Sequence, residues 1–220
     1  MTNRPNASRM KPVFKFLFAV AMLLLFLFIA HEVIREKEVM FDNGINRWMD
    51  SFSNPQVTSI MSVITFFGSV YFLVPAYLLL AIWLWIRISR TAGLYFFCIS
   101  AIGTVVMVAA KYLFHRNRPE IPLVHAVGGF SFPSGHVTSS IIFFGWLGYI
   151  LIARLRIRGW LRWFIILLAI LICGAIGFSR VYLEVHYATD VLAGFCLGIL
   201  YFMISMYFRG RFIQKGLVGR

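Results

Sequence analysis

Residues 133–153 read PSGHVTSSIIFFGWLGYILIA, a polar tetrapeptide that leads without a break into an apolar run. A helix needs about 20 predominantly apolar residues to cross the hydrocarbon core of a bilayer, and this run is close to that length. Pro and Ser are residue types that commonly start helices. The sequence therefore predicts a membrane span over 135–153 that begins beside a histidine.

Five further apolar runs flank this span. They cover about 13–30, 57–86, 91–113, 160–178 and 187–208. Hydrophobic residues make up 60% of the 220 residues, charged residues 13%, and the mean hydropathy is +0.83, a composition typical of an integral membrane protein. We predict an all-α, polytopic membrane protein with six transmembrane helices in a bundle, organised as a single membrane domain over 1–220.

Three segments of this frame carry additional signals. The basic flank and length of 13–30 favour an uncleaved signal anchor over a cleaved signal peptide. Asp42-Asn43-Gly44 predicts a turn, and 45–52 predicts a short amphipathic helix at the membrane interface after the first span. The run 57–86 exceeds one span in length and is expected to break at Gly68-Ser69 and at Pro75.

Basic residues predict the orientation of the bundle. With the N-terminus in the cytoplasm, fourteen of the 21 Lys and Arg residues lie on the inner side, and the rule that inner loops are positively charged then places both termini inside. They are Arg4, Arg9, Lys11, Lys15, Arg87, Arg90, Arg154, Arg156, Arg158, Arg162, Arg209, Arg211, Lys215 and Arg220. The net charge of +13 is divided among loops and forms no single basic face, which argues against a nucleic-acid partner.

Polar residues concentrate in three clusters within 111–190. The clusters are KYLFHRNRP (111–119), PSGH (133–136) and SRVYLEVHYATD (179–190), and each lies at the end of an apolar run. Charged groups near membrane depth are costly and indicate a functional site. In the predicted topology all three clusters face the outside, so we expect them to form one site.

The cations and the start of the fourth span favour an anion ligand. Lys111, Arg118 and Arg180 supply positive charge, and the arginine fork suits bidentate phosphate binding. Ser134 and Gly135 offer backbone N–H groups at a helix N-terminus, and glycine permits close approach of the ligand. Such donors stabilise the charge that develops on a phosphoryl group in its transition state.

Two histidines and an aspartate supply the reactive groups. His186 and Asp190 are four residues apart, so a helix would place them on one face. A carboxylate on one imidazole nitrogen leaves the other free as a nucleophile, and His136 is then the natural general acid for the leaving oxygen. The sequence contains no CxxC or Cys/His spacing and no carboxylate cluster, so we predict no metal site, no cofactor and metal-independent chemistry.

The three clusters resemble the signature motifs of the type 2 phosphatidic acid phosphatase superfamily. That pattern is K-x6-R-P, P-S-G-H and S-R-x5-H-x3-D, and every position matches. The resemblance implies a helical bundle with a site near the outer bilayer surface. It implies that the catalytic residues are His186 as nucleophile, His136 as acid and Asp190, and that the substrate phosphate is bound by Lys111, Arg118, Arg180, Ser134 and Gly135.

The resemblance also implies a substrate class. The size of the chain is similar to that of bacterial lipid phosphatases of the phosphatidylglycerophosphatase B and undecaprenyl-diphosphate phosphatase type. We therefore expect a hydrolase of the bacterial cytoplasmic membrane acting on undecaprenyl diphosphate or phosphatidylglycerol phosphate, with only general contacts to anionic phospholipids. A lipid phosphotransferase with the same site and a lipid-phosphate transporter are the alternatives, and the sequence leaves the oligomeric state open.

Several polar residues near the motifs have simpler interpretations. Arg116 lies outside the matching pattern and is equally consistent with an interfacial side chain that extends toward water. Ser131 and Thr138 are expected to cap helices. Glu184 is expected to face outward at the rim of the site.

Overall fold

The computed structural model describes residues 12–35, 39–51, 53–124 and 128–212. Within these ranges the chain forms eight helices and no strand. The helices are α1 (Pro12–Ile34), α2 (Val39–Asp50), α3 (Pro55–Phe66), α4 (Val70–Arg87), α5 (Arg90–Phe114), α6 (Gly135–Arg154), α7 (Gly159–Tyr182) and α8 (Ala188–Phe212). Six segments are long and apolar enough to cross a membrane, with α3 and α4 forming one of them, Pro55–Arg87. The predicted all-α, six-span architecture is confirmed.

Polar caps define the starts of three helices. The side chain of Asn54 accepts a hydrogen bond from the backbone N–H of Val57 at 2.9 Å, and Ser69 and Ser89 cap α4 and α5 in the same way. Each cap satisfies an N–H group that has no partner within its helix. Ser69 follows the turn that separates α3 from α4, so the break expected at Gly68-Ser69 is present.

The break expected at Pro75 is absent, because Pro75 lies inside α4. Proline is tolerated in membrane helices where neighbouring groups satisfy the backbone carbonyl that it leaves unpaired.

The interfacial helix α2 begins earlier than predicted. It covers Val39–Asp50, so Asp42, Asn43 and Gly44 are helical and the predicted turn is wrong. The carboxylate of Asp42 accepts hydrogen bonds from the backbone N–H and the hydroxyl of Thr189 in α8, at 3.1 and 2.6 Å. These tertiary contacts outweigh the local turn preference. The end of the predicted segment, at residue 52, lies outside the described residues.

Helix α8 packs chiefly on α6 and α1 and also contacts α5, α7 and α2. Two glycines permit the close approach to α6. A Cβ atom on Gly194 would lie 2.9 Å from the carbonyl oxygen of Ser134, and one on Gly198 would lie 3.0 Å from Cβ of Ile141. The first residues of α6 and α8 are therefore held against each other at the end of the bundle where the polar clusters lie.

Aromatic packing fills the half of the bundle away from the polar clusters. Trp146 of α6 is fully buried, and its indole N–H donates to the hydroxyl of Ser205 in α8 at 3.0 Å. The rings of Tyr95 and Phe96 in α5 contact it edge-on, with centroids 5.9 and 6.0 Å away. Edge-to-face geometry is favourable for aromatic pairs. This core joins α5, α6 and α8 into a rigid support for the opposite end.

Candidate active site

The three polar clusters meet at one end of the bundle. Successive spans alternate in direction, so the ends of α5 and α7 lie beside the starts of α6 and α8. Hydrogen bonds between backbone groups tie these ends together: Ser134 N–H to the carbonyl of Asp190 at 3.0 Å, and Ser131 N–H to the carbonyl of Arg116 at 2.8 Å. The structure thus brings three segments together at this end, 111–119, 133–136 and 179–190, as the sequence predicted.

His186 is positioned by a tight turn between α7 and α8. Its backbone N–H donates to the carbonyl of Arg180 at 3.3 Å, and the residue is 1% exposed. Its Nδ1 lies 3.4 Å from Oδ2 of Asp190, which is fully buried. His186 precedes the first residue of α8, so the turn brings the two side chains together, and the prediction that both lie on one helix is wrong.

The second nitrogen of His186 points toward the cationic side of the site. Nε2 lies 3.3 Å from Nη1 of Arg118. Burial lowers the pKa of His186 to about 3; Asp190 opposes this shift, and Arg180 and Arg118 reinforce it. The imidazole is therefore neutral at physiological pH, and Nδ1–H facing Asp190 leaves a lone pair on Nε2.

Lys111, Arg118 and Arg180 surround the site without carboxylate partners among the described residues. Lys111 Nζ donates to the carbonyl of Phe130 at 2.7 Å, and Arg118 Nη1 donates to the carbonyl of Val185 at 2.7 Å. Burial also lowers the pKa of Arg118, and Asp190 opposes that shift. Lys111 and Arg118 thus donate to neutral carbonyl oxygens, and an anion can replace these oxygens as the acceptor.

Arg180 is the most deeply buried of the three cations. Its Nη1 donates to Oγ1 of Thr65 in α3 at 2.7 Å. Nε and Nη2 have no hydrogen-bond partner among the described residues, although the residue is only 3% exposed. Buried guanidinium donors without partners are costly, so they mark a place where a ligand is expected to supply acceptors.

The first residues of α6 complete this surface. Ser134 is fully buried, and its hydroxyl has no partner in the described part of the chain. A Cβ atom on Gly135 would lie 3.6 Å from Cε of Lys111, so the backbone of α6 begins directly beside that cation. His136 is half-buried and interacts electrostatically with Arg180 and His186. All eight predicted site residues therefore lie together at this end of the bundle.

A second polar group, not predicted from the sequence, lies behind Asp190. Arg116 donates to Oδ1 of Asp190 at 2.7 Å and to Oδ2 of Asp42 at 2.6 Å, so it is not an interfacial side chain extended toward water. Burial lowers the pKa of Arg116, but Asp190 and Asp42 outweigh it and raise the pKa overall. The hydroxyl of Ser131 donates to Oδ2 of Asp190 and caps no helix. The position of Arg116, two residues before Arg118, could have suggested a role at the site. No signal in the sequence around Asp42 suggests one.

Two other polar residues differ from expectation. Glu184 is 8% exposed, so the prediction of an outward rim residue is wrong. It lies in the turn that also fixes His186, with φ at 53°, and burial together with Asp50 raises its pKa to about 7. Thr138 lies inside α6 and donates to the carbonyls of Ser134 and Gly194, at 3.0 and 3.3 Å, which ties α6 to α8.

Comparison with known proteins places the chain in a family. Residues 92–214, more than half of the chain, match the PAP2 superfamily. The chain belongs to this superfamily. The resemblance inferred from the three motifs is thus confirmed.

Individual relatives extend the match beyond the motifs. The chain is 30% identical over 186 residues to phosphatidylglycerophosphatase B of Bacillus subtilis (strain 168), covering 84% of this chain and 91% of that protein. The crystal structure of a transmembrane PAP2 type phosphatidylglycerolphosphate phosphatase from Bacillus subtilis matches with a TM-score of 0.80, 29% identity and coverage of 88% and 96% of the two chains. The structure of Aquifex aeolicus LpxE shares the fold, with a TM-score of 0.56, 24% identity and coverage of 74% and 93%.

Proposed function

We propose that the protein is an integral membrane lipid phosphatase that works through a phosphohistidine on His186. One observation carries the proposal. Nδ1 of His186 faces Asp190 at 3.4 Å, while Nε2 lies among the cations, 3.3 Å from Arg118. A neutral imidazole held in this way is a nucleophile directed at the place where an anion would bind.

The first step forms the intermediate. Nε2 of His186 attacks the phosphorus atom of the substrate, and the bond from phosphorus to the lipid-side oxygen breaks. The negative charge of the bound substrate favours the protonated form of His136, which gives its proton to that oxygen. The oxygen then leaves as part of the alcohol of a monoester or of the lipid monophosphate of a diphosphate. Lys111, Arg118 and Arg180 stabilise the charge spread over the transferring phosphoryl group.

The second step releases phosphate. The now neutral His136 accepts a proton from a water molecule, which attacks phosphorus as the bond to Nε2 of His186 breaks. Inorganic phosphate leaves and both histidines return to their starting states. Asp190 stabilises the positive charge that His186 carries between the two steps, as the aspartate of a Ser-His-Asp triad stabilises its histidine.

An apolar groove supports a lipid substrate. It has a volume of about 400 Å³ and lies between α3 and α7, with lining residues that include Ile64 and Phe178. Thr65 and Arg180, which hydrogen-bond to each other at the site, lie one and two residues beyond these. A lipid tail in the groove would therefore place its phosphate near Arg180. Undecaprenyl diphosphate and phosphatidylglycerol phosphate are the proposed substrates, and the relative called phosphatidylglycerophosphatase B supports the second.

The proposed location is the cytoplasmic membrane of a bacterium, with the site on the extracytoplasmic face. The distribution of Lys and Arg over the loops supports this orientation, with both termini inside. Anionic phospholipids would contact the inner basic loops in a general way.

Phosphate release by the purified protein in detergent tests the function. The panel contains undecaprenyl diphosphate, phosphatidylglycerol phosphate, phosphatidic acid and a lipid A analogue, each with a chelator present. His186→Ala is the active-site variant, and His31→Ala, at an exposed residue, is the matched control. We expect release by wild type and control, none by His186→Ala, and no loss on chelation.

Other results would point to the alternatives. Loss of phosphate from the lipid without free phosphate, but with transfer to an added alcohol, would indicate a phosphotransferase. Lipid binding without turnover by folded protein would favour a transporter. Equal release by wild type and His186→Ala would refute the assignment of the nucleophile.

A further inference from the structure

Helix α2 carries a fully buried carboxylate, that of Asp42. Its two oxygens accept three hydrogen bonds from donors outside the helix. Oδ1 accepts from the backbone N–H of Thr189, and Oδ2 accepts from the hydroxyl of Thr189 and from Nη2 of Arg116, the last two at 2.6 Å. Burying a carboxylate is energetically costly unless it is paired and hydrogen-bonded. Burial of Asp42 is therefore favourable only while Thr189, at the start of α8, and Arg116 keep their present positions.

Arg116 carries this arrangement to the site. Its guanidinium lies 4.2 Å from the centre of the Tyr187 ring, and its Nη1 donates to both Asp190 and Thr189 at 2.7 Å. With Nη2 on Asp42, the two arms of one planar group join two carboxylates. The fixed geometry of the fork transmits orientation better than a flexible lysine would.

The carboxylate of Asp190 is consequently fixed on both oxygens. Oδ1 accepts from Arg116, whereas Oδ2 accepts from Tyr187 N–H at 2.9 Å and from the hydroxyl of Ser131, and lies 3.4 Å from Nδ1 of His186. We propose that Asp42 and Arg116 are positioning residues, which hold Asp190 in the orientation that keeps Nδ1–H of His186 facing it and Nε2 unprotonated. Asp42 lies outside the three sequence motifs, and Arg116 occupies a variable position of the first one.

The hydrogen-bond partners of Arg116 indicate that it positions Asp190 and does not bind phosphate. Its charge is matched by two carboxylates, and its side chain is 14% exposed. Lys111 and Arg118, in contrast, hold backbone carbonyls, and Arg180 holds one hydroxyl. A cation already neutralised by carboxylates adds little attraction for a substrate anion. Loss of Arg116 or Asp42 should therefore act on turnover more than on substrate affinity.

The kinetic test uses the lipid that wild type hydrolyses fastest, and in this it rests on the proposed function. Asp42→Asn keeps the shape of the side chain and removes its charge; we expect kcat to fall about 10- to 100-fold, since misplacement by about 1 Å costs about a hundredfold, with KM within threefold. Thr189→Val preserves every charge and should give a smaller fall in kcat. Arg47→Gln is the matched control and should be unchanged, since Arg47 is an exposed residue of α2 whose guanidinium donates to the backbone carbonyl of Asn43.

A mutant cycle and a pH profile separate positioning from general structural damage. Asp42→Asn should have less than a twofold effect in an Asp190→Asn background, because it acts through Asp190. The paired variant Asp42→Asn with Arg116→Gln leaves the net charge unchanged and keeps the groups that face His186, namely Asp190, Arg118, Arg180 and His136. The acid limb of kcat/KM should then move up by about one pH unit, because the charge of Asp190 is no longer shared with a cation.

A measurement that needs no activity completes the test. The chain has five histidines, so ¹⁵N-histidine labelling, with His186→Gln for assignment, reports the tautomer of His186 directly. Wild type should hold the Nδ1–H form, and Asp42→Asn should reduce it. An unchanged kcat, independent losses in the Asp190→Asn background, or an unchanged tautomer would overturn the inference. If wild type hydrolyses no lipid, the proposed function fails, whereas the tautomer still decides the role of Asp42 and Arg116.

Discussion

The substitution Gly194→Ala should reduce turnover by moving the start of α6. Gly194 lies in α8, and an added Cβ atom would come within 2.9 Å of the carbonyl oxygen of Ser134 and 3.2 Å of Cβ of Val137. The Ser134 carbonyl accepts from the N–H of Thr138 at 3.1 Å, and the N–H of Ser134 donates to the carbonyl of Asp190 at 3.0 Å. The Ser134 carbonyl belongs to the backbone where α6 and α8 meet, so it cannot rotate away as a flexible side chain could.

The size of the effect follows from the distance. A carbon atom usually lies about 3.3 Å or more from a carbonyl oxygen, so the Ser134 carbonyl must move by about 0.4 Å. If a displacement of about 1 Å costs about a hundredfold in rate, 0.4 Å costs about sixfold on a logarithmic scale. Overpacking of this kind also costs about 1–3 kcal/mol of stability.

Two measurements check this prediction together. The first is the initial rate of phosphate release from the best lipid substrate, and the second is Tm in the same detergent. Gly148→Ala is the matched control, since its Cβ atom would meet the Ile165 side chain at an ordinary 3.6 Å elsewhere in α6. A rate within twofold of wild type, or the same loss in the control, would refute the reasoning that close α6–α8 contact sets the geometry of the site.

Three further predictions concern charged and titratable groups. Since burial holds the pKa of His186 at about 3, kcat/KM should show no acid limb near pH 6.5, and activity should fall only as the pH approaches the lower value; a His186-dependent limb near 6.5 would contradict this. Arg180→Lys should raise KM about tenfold in a substrate titration, because a lysine bonded to Thr65 cannot also offer two parallel donors; an unchanged KM would remove Arg180 from phosphate binding. Burial raises the pKa of Glu184 from 4.5 to about 7, so wild type loses stability as pH rises through this interval, and Glu184→Gln should raise Tm at pH 8 but not at pH 5. An equal change in Tm at both pH values would argue against a buried carboxylate at Glu184.

The sequence was informative where the signal is local. Apolar runs predicted six spans, and the Gly68-Ser69 break and the three motifs were placed correctly because length, turn residues and spacing are properties of adjacent residues. The alternation of spans was enough to predict that the motifs meet. Asp42 illustrates the limit, since its neighbours Asn43 and Gly44 favour a turn, and only contacts with Thr189 and Arg116, far along the chain, stabilise the helix.

Burial was the second limit. Glu184 and Arg116 are charged residues beside a predicted interface, where local sequence favours exposure. The environments of both residues depend on how α2 covers the turn between α7 and α8. The hydrophobic periodicity of the sequence does not predict this contact. The same applies to Ser131, which was assigned to a helix cap and instead contacts Asp190.

The neutral partners of Lys111, Arg118 and Arg180 have a further consequence. Since these three cations are paired with no carboxylate among the described residues, the substrate itself would provide their balancing charge. Under the proposed function, the product phosphate satisfies the same need, so it should be a competitive inhibitor. The lipid has one advantage over it: only the lipid also brings an apolar chain to the groove between α3 and α7. Selectivity for substrate over product would then reside in the membrane-facing groove, and the charged centre would be largely indifferent to which anion it holds.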